Sequence, residues 1–143
     1  MLRGSSARRY LTRDDPPAAW FLVDEAALRR RSGPPEIMAA QLAHLAGVAC
    51  LPNVTIQVVA STAHAGLLGG FALAERAAYV ETAVAGQVFE DAEIIAGLLT
   101  RFDTLRSEAF RRSESLTLIE RMCEEWKATG VKAVTQDPTA GSA

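Results

Sequence analysis

Residues 12–31, TRDDPPAAWFLVDEAALRRR, constrain the fold more than any other stretch. Pro16 and Pro17 cannot supply the N–H that a central strand needs, so they mark a turn at the start of the unit. Trp20 to Val23 is a compact apolar run, too short for a helix and of the right length for a buried strand. A short helix over Ala26 to Arg31 completes the unit. Asp24 and Glu25 stand where a helix N-terminus favours negative charge, and Arg29 to Arg31 where its C-terminus favours positive charge. A strand feeding a short helix predicts mixed α and β structure. The unit holds no reaction chemistry of its own.

With 143 residues the chain can build one core, and nothing in it suggests two. A hydrophobic fraction of 49% argues for a globular fold. The formal net charge of −2 gives no general attraction to nucleic acid or acidic membrane. No apolar run approaches the roughly 20 residues that span a bilayer. The start, MLRGSSARRYLTR, is basic but lacks the apolar core of a signal peptide, so a cytoplasmic location is expected. Cys50 and Cys123 read as small buried hydrophobes, and two cysteines carry no framework signal for a bridge.

Residues 1–11 read as an arm or frayed helix. Gly33-Pro34-Pro35-Glu36 is a helix start, with Gly ending the previous helix and Pro in the first turn. Met38, Leu42, Leu45 and Ala49 then define one buried helical face. Val54 to Val59 alternates, predicting a half-buried strand with Val54, Ile56 and Val58 inward. The Gly-rich stretch to Gly70 reads as a connection. Phe71–Glu75, Tyr79–Thr82 and Gln87–Glu90 read as three closely spaced, antiparallel strands. Asp91 caps a helix striped with Ile94, Ile95, Leu98, Leu99, Phe102, Leu105 and Ala109. A second helix, capped by Ser113, turns Leu116, Ile119, Met122, Cys123 and Trp126 inward. The short join at Arg111-Arg112 predicts that these two helices pair. After Lys127 the composition turns to small and polar residues, a tail.

The residues offer little catalysis. His44 lies off its helix's apolar stripe and reads as a surface residue. His64, near Ser61, suggests a Ser/His hydrolase only without the glycine-flanked elbow such a site uses. No paired Cys/His spacing fits a metal, and no phosphate loop occurs, so neither metal nor cofactor is expected. Glu25, Glu75, Glu81 and Glu90 near strand ends could converge for acid–base work, but strand-edge charges that discourage pairing are the commoner case. The Arg clusters are scattered and balanced by acids, and no helix-turn-helix can be picked out.

Four blocks in order, 11–31, 34–59, 64–82 and 102–122, resemble one family: the C-terminal domain of unknown function of actinobacterial Xre-type helix-turn-helix regulators, the WhiJ-like or Scr-type antitoxin-like transcriptional regulators. The resemblance implies a signal-receiving, non-enzymatic role. It implies an unknown effector or a small BldB-like partner protein, with self-association as the other expected state. Relatives carry a helix-turn-helix and a PGLLQT-like segment before the block that begins here near Ser6, and a longer hairpin where this chain has Glu75 to Ala78. The expected chain is therefore a shortened regulator without direct DNA binding. The alternative is a small hydrolase or a degenerate phospholipase-D-like domain, whose H-x-K signature is absent.

The expectation is a single α+β domain. A small, mostly antiparallel sheet is covered by a central helix at 34–49 and a C-terminal antiparallel helix pair. The arm spans 1–11, the domain 12–128 and the tail 129–143. Asp24, Glu25, Arg29 and Glu81 are the candidate effector- or partner-binding residues. Phe102, Leu105, Phe110 and Trp126 form the apolar patch expected to drive association, and Trp20 is expected in the core.

Overall fold

The apolar alternation of residues 54–59 forms the strand on which the core is laid. In the computed structural model, residues 9, 11–61, 69–82 and 84–135 are described, the side chains of 133–135 excepted. Strand β1, Ala19–Asp24, runs into helix α1, Glu25–Arg29. Helix α2, Pro35–Ala49, leads to strand β2, Val54–Val59, and strands β3, Phe71–Leu73, β4, Ala78–Glu81, and β5, Gly86–Phe89, follow. Helices α3, Ala92–Glu108, and α4, Arg112–Thr135, complete the α+β fold.

The strands divide between two sheets. β1 and β2 form a parallel pair with Phe21 opposite Ile56, while β3, β4 and β5 form an antiparallel meander. The parallel pairing follows from the connection: α1 and α2 lie between the two strands, the crossover that parallel neighbours need. Val54, Ile56 and Val58 are buried as the alternation predicts, facing Leu42 and Ala49 of α2 and Ile119, Met122 and Cys123 of α4. Leu11, read from sequence as part of an arm, is also in this core, and Asn53 Nδ2 donates to the Leu11 and Pro17 carbonyls.

The last two helices do not form the expected pair. α4 packs along α2 instead, and α3 lies against β2, β3 and β4. The α2–α4 pair is antiparallel: Arg112 Nη2 donates to the Ala49 and Leu51 carbonyls at one end, and Cys123 Sγ donates to the Ala39 carbonyl midway. At the other end Gly130 lies so close that a Cβ there would sit 3.1 Å from Glu36 Oε1. α4 remains helical through 129–135, past the expected start of the tail.

The cause is the junction at Ala109–Arg111, which is extended rather than a helical turn. Phe110 N–H donates to the Val58 carbonyl at 2.9 Å, and Val58 N–H donates to Ser115 Oγ at 3.0 Å. Gln57 Nε2 donates to the Phe110 carbonyl, and the Trp20 indole N–H donates to Gln57 Oε1. The junction thereby closes the free edge of β2, and Ser115, which is fully buried, replaces a partner strand.

Three expectations fail here. Trp20 is 45% exposed, because β1 has a strand neighbour on one side only among the described residues. The expected association patch does not form either: Leu105 is buried, Phe102 and Trp126 are half-buried, and only Phe110 is exposed. Cys50, read from sequence as a small buried hydrophobe, is exposed at the end of α2, whereas Cys123 is buried as expected; both are free thiols. Ser115→Ala strands the Val58 N–H in the core and should cost roughly 1–3 kcal/mol by chemical denaturation. Trp20→Ala should cost less than about 1.5 kcal/mol, since half of the side chain is already wet.

Candidate functional site

β1 delivers Asp24 to the N-cap of α1 with extended backbone, φ −67° and ψ 131°. Its Oδ1 accepts from Ala26 N–H at 2.7 Å and from Ser61 Oγ at 3.0 Å. One carboxylate thus ties the end of β1, the start of α1 and the residue following β2's exit. Short polar side chains serve this role because they reach back to the orphan N–H groups of the first turn.

Glu25 and Arg29 lie one helical turn apart and pair at 2.8 Å. Arg29 is also 4.0 Å from Glu125 on α4, which lies 3.7 Å from Arg121. The result is an alternating ladder, Glu25–Arg29–Glu125–Arg121, joining α1 to α4 across open surface. Arg29, Glu125 and Arg121 are well exposed, so each pair adds little stability. Farther along α4, the Glu124 carboxylate holds the Lys127 ammonium above its ordinary range through a 2.7 Å hydrogen bond.

Of the four candidate residues the structure brings together Asp24, Glu25 and Arg29. Glu81 sits on the other sheet, at the end of β4, where its N–H donates to the Gly70 carbonyl. Its side chain has no hydrogen-bond or ion-pair partner among the described residues. Sequence reasoning missed Ser61, Arg121 and Glu125, which reach the site only through the packing of α4 and β2. The charge order along α1, acids at its start and arginines at its end, was visible in the chain. His44 is exposed, as expected, and His64 lies outside the described residues.

Two open grooves flank this region. One, about 570 Å³, runs between α2 and α4 past Ala43, Ala46, Thr117, Glu120 and Arg121. The other, about 500 Å³, lies between α1 and α2 and is lined by Ala27, Leu28, Ile37, Met38, Leu42 and Leu45, with Gln41 and His44 its polar members. Among the described residues no group of three or more His, Cys, Asp or Glu could hold a metal ion, and no helix is long and apolar enough to cross a membrane.

The fold and these surfaces define a small α+β domain that offers open grooves and a charged ladder. The chain belongs to the DUF5753 family: the profile of this domain of unknown function matches residues 3–121. No curated protein and no solved structure matches the chain.

Replacement separates the structural roles of the polar residues. Asp24→Ala should cost about 0.5–2 kcal/mol through loss of the cap. Glu25→Ala and Arg29→Ala should each stay within roughly 0.5 kcal/mol in the same denaturation assay.

Proposed function

We propose that the chain is a regulatory domain of an antitoxin-like, Xre-type transcriptional regulator, and that it binds an effector or partner in the cytoplasm rather than catalysing a reaction. Residues 12–128 do not themselves read duplex DNA. Support for this comes from charge: the net is −2, which gives no general attraction to a polyanion.

The groove between α1 and α2 carries the partner-binding form of the reading. It is apolar, open, and presents Ile37 at 51% exposure beside buried Leu28 and Leu42. A cleft between helices with an apolar floor suits side chains spaced along a partner helix. A small BldB-like protein supplying such a helix is the proposed partner.

Titrating the purified chain with a small BldB-like protein tests this. Ile37→Asp should weaken that complex about tenfold or more, as an apolar anchor does when lost from an interface. Its unfolding midpoint should stay close to wild type, since Ile37 is already half in water. An unchanged affinity would move the partner site off the groove.

A further inference from the structure

The two-stranded sheet has two edges, and among the described residues only one is closed. Ala19 N–H donates to the Asn53 carbonyl at 2.9 Å, so Ala19, Phe21 and Val23 direct their main-chain groups at β2. Trp20 and Leu22 direct theirs outward, where no strand and no other described group takes them up. The edge lacks the usual protection, with no Pro, Lys or Arg between Ala19 and Val23. Trp20 and Phe21, one on each face, are 45% and 43% exposed beside it.

We propose that this edge pairs with the β1 edge of a second copy of the chain, antiparallel and about a twofold axis at Leu22, giving a continuous four-stranded sheet β2–β1–β1–β2. Charge selects the occupant and the register. Trp20, Leu22 and Asp24 share one face of β1 by alternation. On that face Arg106 sits 4.8 Å over the Trp20 ring, so β1 is positive toward one end and negative, at Asp24, toward the other. Antiparallel pairing centred on Leu22 sets Asp24 of each copy opposite Trp20 and Arg106 of its mate, twice over. Arg106 touches Asp103 through Nη2 at 3.2 Å and keeps further N–H donors for a second carboxylate. On the opposite face the same register lays Phe21 against Val23 of the mate, a favourable aromatic–β-branched pair. Pairing two residues closer, with Phe21 on the axis, would leave Asp24 opposite Ala18 and gain no ion pair. This interface uses neither the α1–α2 groove nor its partner.

Sedimentation of the full chain over a concentration series is the test, with Cys50→Ser as background for cross-linking. A monomer–dimer equilibrium is expected, weakened about tenfold by Arg106→Glu, which sets like charges against Asp24 of the mate. Leu22→Cys should form an intermolecular disulfide under mild oxidation, because residues facing each other in a hydrogen-bonded antiparallel pair lie about 5.5 Å apart at Cα, within disulfide reach. Phe21→Cys should not. Hydrogen exchange of the wild-type chain gives a readout free of substitutions: the Trp20 and Leu22 amides should gain protection as concentration rises. A monomer up to about 100 μM, where mass action would populate even a weak dimer, would overturn the proposal. So would a dimer indifferent to Arg106→Glu, or cross-linking through Phe21→Cys in preference to Leu22→Cys.

Discussion

Val58 is the residue on which this architecture turns. Its side chain is in the core, and its N–H and carbonyl point away from β1, where a larger sheet would supply another strand. Buried backbone groups left unpaired cost as much as a lost hydrogen bond each. Here Phe110 N–H and Ser115 Oγ satisfy the two groups, so β2 is finished by a three-residue junction and one hydroxyl. That closure sets the course of both flanking helices. With the junction extended along β2, α3 is left on one side of the pair with the β3–β5 meander. α4 departs on the other side and finds α2.

The local elements were legible and their assembly was not. Periodicity places α2, β2, α3 and the inward face of α4, because each is a property of consecutive residues. Asp91 is the N-cap its position suggests, accepting from Glu93 and Ile94 N–H. The pairing of α3 with α4 was misread because a short join suggests a hairpin only when its residues turn. Nothing in Ala109-Phe110-Arg111 shows that the Phe110 N–H is committed to Val58, 52 residues earlier in the chain. Ser115 does not stand out in the sequence for the same reason: its partner is 57 residues away.

The candidate site divides along the same line. Asp24, Glu25 and Arg29 could be grouped from the chain because helix capping and one-turn spacing are local rules. Glu125 and Arg121 could not, since α4 reaches α1 only after packing on α2. Glu81 was grouped with the others by chemistry alone, and the split into two sheets separates it. The packing also extends beyond the family match. The matched region stops at Arg121, whereas Met122 and Cys123 are core residues and Gly130 packs against Pro35 and Glu36. The rest of α4 is thus part of the folded unit.

Trp20 shows how an apolar run can mislead. A short run without alternation signals a strand buried on both faces, and most such strands sit between neighbours. A two-stranded sheet has no central position, so its strands are edges whatever their sequence. β2 escapes this through the Phe110–Ser115 closure, and its alternate residues are buried. Among the described residues Arg106 and Gln57 make the polar contacts with Trp20, the first over the ring and the second at its N–H. Both contacts lie on the face of β1 and leave the edge untouched. The apolar composition of residues 19–23 is therefore that of a strand with neighbours on both sides, while the described residues of one chain supply a neighbour on one side only.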